Sequence, residues 1–263
     1  MPLIAQNYSH NRAGYNPALY AELAKLEAGH FWFQSRNLLI LSMLGMYRPN
    51  FASLLEIGCG TGFVLGAIAK KWPGSIILGS DSQPEGLEYA ALRAPEAKLL
   101  LLDAREIPFE KTLEVIGAFD VLEHIQEDEL VLQQMQNALQ PGGLLLLTVP
   151  QHPWLWGRVD ELAGHQRRYS ALELHQKLEA AGFKILRSTS FVSLPLPLMY
   201  LSRVLGSSAE QDPARELKIP GLLNKALKAV LRLELWAIHW GLDLPVGGTR
   251  LVVAQTPGKG IRR

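Results

Sequence analysis

A glycine-rich turn between a short apolar segment and a helix constrains the fold more than any other feature of the sequence. Leu54-Leu-Glu-Ile-Gly-Cys-Gly-Thr-Gly62 places three glycines directly after a predicted strand and directly before a predicted helix. Because glycine has no Cβ, such a turn can be tight and lets a ligand approach the backbone at a helix N-terminus. The segment therefore indicates a nucleotide-binding α/β unit.

An acidic residue after the second predicted strand strengthens this interpretation. Asp81 lies 23 residues after Gly58, where a carboxylate can accept hydrogen bonds from both hydroxyls of a ribose. The dinucleotide pattern G-x-G-x-x-G fails, because the position of its third glycine is Phe63. The pattern therefore disfavours a nicotinamide- or flavin-linked oxidoreductase. A tight turn beside a solvated acid is the alternative without a ligand.

Apolar strand segments alternate with helical segments along the chain. The predicted strands are Ser53–Ile57, Ser75–Gly79, Lys98–Leu102, Leu113–Gly117, Gly143–Val149, Phe183–Thr189 and Arg250–Gln255. The predicted helices are an N-terminal helix from Asn16-Pro17, then Phe31–Tyr47, Phe63–Trp72, Pro84–Arg93, Gln126–Leu139, a helix from the Ser170 capping box to Ala181, and Leu222–Trp240. Strands that are apolar at nearly every position suit a parallel sheet covered on both faces. The alternation predicts a doubly wound α/β sheet.

Composition narrows the function classes. The 263 residues are 48% hydrophobic, enough for a sizeable core, and the net charge of +1 gives no general reason to expect a nucleic-acid partner. The one cysteine, Cys59, cannot form an internal disulfide, and the N-terminus has no apolar run of signal-peptide length. The longest uncharged stretch, Ser188–Ser202, contains two prolines and is too short to span a bilayer. We expect a cytoplasmic protein.

Several motifs together resemble the class I S-adenosylmethionine-dependent methyltransferases. Glu56-Ile-Gly-Cys-Gly-Thr-Gly62 is similar to their first motif, Asp81 to their ribose-binding acid, and Asp103 to the acid that contacts the adenine amino group. Phe119-Asp-Val-Leu-Glu-His124 and Leu139-Gln-Pro-Gly-Gly-Leu-Leu-Leu146 resemble their later motifs in order and spacing, although Glu114 stands where the family usually has Asp. The resemblance covers roughly residues 50–190 and, with the last strand, most of the chain.

The resemblance implies a fold and a cofactor. The fold is Rossmann-like, with seven mostly parallel strands, helices on both faces and an antiparallel last strand. It implies an insertion at 191–247 before the last strand, and the apolar and basic composition of that insertion predicts a helical lid. We therefore expect one domain over 1–263, with N-terminal helices at 1–50, a cofactor-binding core at 51–190, the lid at 191–247 and the last strand at 248–255. The implied cofactor is S-adenosyl-L-methionine, and its expected site contains Arg36, Glu56, Gly58, Cys59, Gly60, Gly62, Asp81, Ser82, Asp103, Ala104 and Asp120.

The loop after the fifth predicted strand contains the candidates for the acceptor end. Loops at the carboxyl ends of parallel strands bind substrates in α/β sheets. We expect His165 and Tyr169 to serve in catalysis, with His165 as general base, and Arg167 and Arg168 to clamp an anionic group of the acceptor. A solvated polar loop with one core histidine is the alternative.

The sequence does not favour a metal site. Asp120, Glu123 and His124 share one helical face if that segment is helical, and ubiquinone-pathway O-methyltransferases carry a similar run. Three ligands on one short segment form an incomplete shell, so the same residues more simply shape the cofactor pocket. We therefore expect methyl transfer without a metal.

The expected function is methyl transfer to an oxygen or nitrogen of a small acceptor. The apolar segment Phe191–Tyr200 and the basic amphipathic helix Leu222–Trp240 favour an apolar, lipid-linked acceptor and peripheral contact with a membrane, while packing on the domain or on a second subunit is the alternative. A catalytically inactive cofactor-binding or scaffold protein with the same fold is the other hypothesis. RNA methylation is disfavoured, because no basic stripe or added RNA-binding module is present.

Overall fold

The computed structural model describes residues 4–5, 20–205 and 219–258. Among these residues, eight strands form one sheet: β1 Ile4–Ala5, β2 Ser53–Ile57, β3 Ile76–Asp81, β4 Lys98–Leu101, β5 Leu113–Phe119, β6 Leu139–Pro150, β7 Lys184–Phe191 and β8 Thr249–Gln255. Their order in the sheet is β1-β4-β3-β2-β5-β6-β8-β7. β8 is antiparallel to both β6 and β7, and the other pairs are parallel. The predicted mostly parallel sheet with an antiparallel last strand is confirmed.

Helices connect the strands. Within the described residues they are α1 Tyr20–Leu26, α2 Phe31–Tyr47, α3 Phe63–Lys71, α4 Pro84–Arg93, α5 Asp128–Ala138, α6 Arg158–Ala163, α7 Ala171–Ala180, α8 Leu196–Leu205 and α9 Gly221–His239. Single 3₁₀ turns cover Leu122–His124 and Pro153–Leu155. No helix in this part of the chain is long and apolar enough to cross a bilayer.

The core lies on both faces of the sheet, as the apolar strands predict. Alternate residues of each strand point to opposite faces, so Leu54 and Val115 join one buried cluster and Leu55 and Ile116 join the other. The first cluster includes residues of α2, α3, α4 and α9, and the second includes residues of α5 and α7. Covering both faces leaves the carboxyl edge of the parallel strands as the place for a site.

Three differences from the sequence-based prediction exceed a shift of two residues at a boundary. The N-terminal 50 residues contain a strand, because Ile4–Ala5 pairs with the open edge of β4; the predicted helix start at Asn16-Pro17 lies outside the described residues. β6 begins at Leu139 rather than Gly143, since Leu139 pairs with Leu113 across an irregularity in the register. The short helix α6 was not predicted.

Two helices occupy the predicted insertion between β7 and β8, of which residues 206–218 lie outside the described part. α9 packs along α2. The Asn224 side chain accepts a hydrogen bond from the Phe31 amide (2.8 Å) and donates one to the Gly29 carbonyl (2.9 Å). Near the other end, Ser42 Oγ and His239 Nδ1 are 3.1 Å apart. The division of the chain into core and lid stays a prediction.

Candidate active site

The glycine turn joins β2 to α3 in a left-handed backbone conformation. Gly58 has φ of 65° and Gly62 has φ of 75°. A Cβ added at Gly58 would lie 2.5 Å from Val121 Cγ2, and one added at Gly62 would lie 2.7 Å from the Ala90 Cα. Both positions therefore need glycine for backbone angle and for space. The amides of Cys59 and Gly62 donate to the carbonyls of Ser80 and Cys59, and these bonds hold the turn in shape.

Asp81 fixes the end of β3 to this turn. Its carboxylate accepts hydrogen bonds from the amides of Gly60 (2.8 Å) and Gln83 (2.9 Å). Burial raises the pKa of Asp81 to about 6, while the backbone hydrogen bonds from Gln83, Gly60 and Ser82 oppose that shift. A nearly buried carboxylate with remaining lone pairs beside the turn can accept hydrogen bonds from ribose hydroxyls, as the sequence predicted.

Glu56 lies at the floor of the site, one residue before the end of β2. It is buried, and its Oε2 has no hydrogen-bond partner among the described residues. Burial raises the pKa of Glu56 well above its usual range, although the nearby charge of Arg36 lowers it. Buried polar atoms are normally paired, so the orphaned oxygen fits a missing donor such as the amino group of a bound ligand.

Arg36 and Asp120 meet across the site. The Arg36 guanidinium of α2 forms an ion pair with the Asp120 carboxylate, just beyond the end of β5, and lies 4.5 Å from the centroid of the Trp32 ring. Asp120 has φ of 58°, a conformation uncommon outside glycine. The structure thus brings together two predicted cofactor residues, and the charge of Arg36 is paired with a carboxylate of the protein.

Asp103 follows β4 and is held by a neighbour that sequence reasoning did not single out. The Arg105 guanidinium donates to Asp103 Oδ2 at 2.6 Å and to Oδ1 at 3.0 Å, and reaches Glu127 at 3.4 Å. Ala104 between them is buried, as is Cys59 of the turn, and burial raises the pKa of the Cys59 thiol. Ser82, directly after Asp81, is partly exposed.

A second network behind the turn was missed by the sequence analysis. Thr61 Oγ1 donates to the Glu27 carboxylate at 2.7 Å, and Arg93 contacts both residues and the Ala24 carbonyl. These contacts tie α1 and α4 to the glycine turn. No local pattern marks them, because the partners are tens of residues apart in the chain.

His165 belongs to a cluster at the acceptor end. Its Nδ1 lies 2.9 Å from Asp160 Oδ1, and its Nε2 lies 4.0 Å from Glu123 Oε1. Arg168, a predicted substrate clamp, donates to the same Asp160 oxygen at 2.8 Å and to the Gln151 carbonyl at 3.0 Å. The sequence analysis predicted His165 and Arg168 but missed Asp160, the residue that joins them.

His124 packs against this cluster. Its ring and that of His165 are 4.8 Å apart between centroids in an edge-to-face arrangement. Burial, and then the neighbouring His165, lower the pKa of His124 to about 4, so its imidazole is neutral near pH 7. Glu123, His124 and His165 each offer one ligand atom, and these atoms lie within 4.8 Å of one another, so the three residues could hold a metal ion.

Tyr169 and Arg167 interact with Asp128 and not with the cluster around His165. The fully buried Tyr169 hydroxyl donates to Asp128 Oδ2 at 2.7 Å, and Arg167 and Lys177 pair with the same oxygen at 2.9 and 2.6 Å. Burial and the hydrogen bond to Asp128 raise the pKa of Tyr169. These contacts anchor the loop to the start of α5. The predicted catalytic role of Tyr169 and substrate role of Arg167 stay predictions.

Comparison with known proteins identifies similar sequences. A family model described as a methyltransferase domain matches residues 10–188. The trans-aconitate 2-methyltransferase of Methylobacterium radiotolerans is 28% identical over 144 residues, which are 53% of this chain and 51% of that protein. The chain therefore spans about half the length of that relative.

Solved structures with the same fold include two enzymes of different chemistry. The [4+2]-cyclase SpnF has a TM-score of 0.63 at 18% identity, with 92% of this chain and 94% of that chain covered. Phosphoethanolamine N-methyltransferase 2 of Haemonchus contortus, in complex with S-adenosyl-L-methionine, has a TM-score of 0.61 at 19% identity, with 92% of this chain and 57% of that chain covered. At these identities the likeness establishes the Rossmann-like fold.

Proposed function

Because the chain belongs to the methyltransferase domain family, we propose that it transfers a methyl group from S-adenosyl-L-methionine to an oxygen or nitrogen of a small acceptor. The observation that carries this proposal is the arrangement of acids at successive strand ends. Glu56 lies one residue before the end of β2, Asp81 ends β3, and Asp103 follows β4. One nucleoside-containing ligand beside the glycine turn could contact all three.

The residues present fit that cofactor. The orphaned Glu56 oxygen would accept a hydrogen bond from its amino group, Asp81 would hold the ribose hydroxyls, and Asp103 would contact the adenine. Arg36 and Asp120, which form an ion pair, would lie at its methionine end. When bound, S-adenosyl-L-methionine supplies an electrophilic methyl group. The chain's contribution is then to hold the acceptor atom in line with that methyl, which can account for most of the rate.

The acceptor is proposed to lie at the carboxyl edge, beside Arg168 and His165. An aromatic group borders this edge: the rings of His152 and Trp154 stack at 5.0 Å, and Trp154 meets Tyr200 of α8 at 5.7 Å. α8 is thereby placed next to the loop that follows β6. The contact supports the proposed lid role of α8 and an apolar or lipid-linked acceptor.

We further propose that α9 rests on an anionic membrane surface. Its outward face is more apolar than its sequence suggested, because Leu222, Leu233 and Trp236 are 83%, 65% and 65% exposed, and Trp240 directly after the helix is 74% exposed. Lys225, Lys228 and Arg232 flank this face, and the only acid of α9, Glu234, is buried. Helices that lie on anionic lipid commonly carry tryptophan at the lipid–water interface and lysine beside it.

A screen with S-adenosyl-L-methionine carrying a labelled methyl group tests the proposed function. The acceptors comprise small carboxylates, including the trans-aconitate named for a relative, together with amines, phenols and amphiphilic alcohols. We expect label in one acceptor class, with strong loss for Asp81→Asn and none for Glu96→Gln, a matched change of an exposed surface acid.

One variant and one outcome of the screen separate the proposal from its alternatives. His165→Ala should lower turnover while leaving cofactor affinity close to that of the unmodified chain, because His165 lies at the acceptor end. Cofactor binding without label in any acceptor would instead favour the inactive cofactor-binding protein, or a reaction other than methyl transfer on the same fold.

A further inference from the structure

Glu123, His124 and His165 converge from two distant segments. Glu123 and His124 lie in the 3₁₀ turn after β5, and His165 lies in the loop between α6 and α7. The Gln166 amide donates to the Glu123 carbonyl at 2.7 Å and holds the two segments together. One ligand atom from each side chain lies within 4.8 Å of the others.

This set differs from the run of acids and histidine visible in the sequence. Asp120 is engaged by Arg36, and His165 takes its place from another part of the chain. The observed cluster therefore combines ligands from two segments that lie some 40 residues apart in the chain.

Glu123 is the side chain that most needs a cationic partner. It is fully buried, and neither carboxylate oxygen has a hydrogen-bond partner within the described part of the chain. Burying a carboxylate is costly unless it is paired or coordinates a metal. His165 Nε2, at 4.0 Å from Oε1, is too far for a hydrogen bond, and two metal–ligand bonds of about 2 Å each span such a gap after a small adjustment.

The Nδ1 side of the His165 ring is already held by Asp160. Its Nδ1 lies 2.9 Å from Asp160 Oδ1, and Asp160 is fully buried and also accepts from Arg168 Nε and the Gly157 amide. A proton on Nδ1 leaves the Nε2 lone pair directed at Glu123. A carboxylate that orients a histidine in this way is the usual second layer of a metal site.

We infer that Glu123, His124 and His165 bind one divalent cation of the zinc type. Two imidazoles and one carboxylate suit Zn²⁺ better than Mg²⁺ or Ca²⁺, which prefer oxygen ligands, and three protein ligands leave a coordination position open. His165 then serves as a ligand and not as the general base expected from the sequence. The open position can take an acceptor oxygen and polarise it. Metal binding itself does not depend on the proposed methyl transfer.

The test measures metal affinity directly on the tag-free full chain, stripped with a chelator and titrated with Zn²⁺ and with Co²⁺. We expect one ion per chain and a visible Co²⁺ absorption band that Zn²⁺ displaces. Glu123→Gln and His165→Ala should each weaken binding by at least about 10–100-fold, the loss common for altered residues that only support a ligand. His239→Ala, an exposed histidine outside the cluster, should bind like the unmodified chain.

The titration of the unmodified chain keeps the inference testable even if a variant fails to fold. No stoichiometric binding of either ion at micromolar concentration would overturn the inference. Equal binding by a folded His165→Ala chain would also overturn it. Since both readouts are taken without S-adenosyl-L-methionine or acceptor, their failure is distinct from failure of the proposed methyl transfer.

Discussion

The protonation state of Asp81 is linked to binding of the proposed cofactor. Burial raises its pKa to about 6, so the chain without ligand gains a proton there on mild acidification. Only the ionised carboxylate can accept charge-assisted hydrogen bonds from both ribose hydroxyls. Proton binding and cofactor binding therefore oppose each other at this side chain.

The first consequence is a pH-dependent cofactor affinity. In the unmodified chain, the dissociation constant for S-adenosyl-L-methionine should stay level above about pH 6 and rise by up to about tenfold per unit below it. Asp81→Asn should bind more weakly by about 1–3 kcal/mol and lose this pH dependence. Calorimetry between pH 7.5 and 5, set by buffer choice at roughly half-unit steps, measures both effects.

The control for this prediction is Glu96→Gln, which should follow the unmodified chain at every pH. A level affinity down to pH 5 in the unmodified chain, or the same slope in Asp81→Asn, would remove Asp81 from the cofactor site.

Residue type and spacing in the sequence identify such site residues, but they do not identify the contacts that these residues make. Asp81 and the turn glycines follow from residue type and spacing, because the geometry of a ligand-binding turn limits which residues fit there. The pairing of Arg36 with Asp120, and of Asp160 with His165, could not be predicted. Those contacts depend on how α2 and α6 dock, and many surface acids have the same local pattern as Asp160.

At the scale of elements, capping and packing signals explain which boundaries were predictable. α2, β2 and α4 have the predicted bounds, and the Ser170 side chain accepts from the Glu173 amide as its capping box implies. β6 passes through Pro141-Gly-Gly143, a segment whose local chemistry favours a turn. The strand pairs with β5 at Leu139 and again from Leu144, with a register irregularity between, and Gly142 keeps a turn-like φ of 76°. This continuation depends on pairing with β5, which is not visible in a local pattern.

The outward face of α9 gives a prediction at this scale. The chain should cosediment with vesicles of anionic lipid at low salt, and Lys225→Glu combined with Lys228→Glu should reduce binding at least about tenfold, since each basic residue near such a surface contributes about 1 kcal/mol. Salt should weaken the interaction by screening.

A matched pair of substitutions controls for net charge. Lys98→Glu combined with Lys184→Glu alters two exposed lysines at the amino ends of β4 and β7 and should bind vesicles nearly as well as the unmodified chain. Absence of vesicle binding at low salt would contradict the membrane proposal and leave the methyltransferase fold untouched.

For the whole molecule, alternation of strands and helices was enough to predict a doubly wound sheet. The antiparallel last strand came from the family resemblance. The order of the strands was not predicted, because apolar strands carry no mark of their neighbours. The cluster of Glu123, His124 and His165 needed the folded chain, since it joins the end of β5 to a loop some 40 residues later.

We propose above all that the glycine turn and the acids at the strand ends form a site for S-adenosyl-L-methionine. The most direct measurement is a pair of calorimetric titrations of the full chain, one with S-adenosyl-L-methionine and one with NAD⁺. We expect one molecule of S-adenosyl-L-methionine bound per chain and no binding of NAD⁺. Saturable binding of NAD⁺ without binding of S-adenosyl-L-methionine would contradict it.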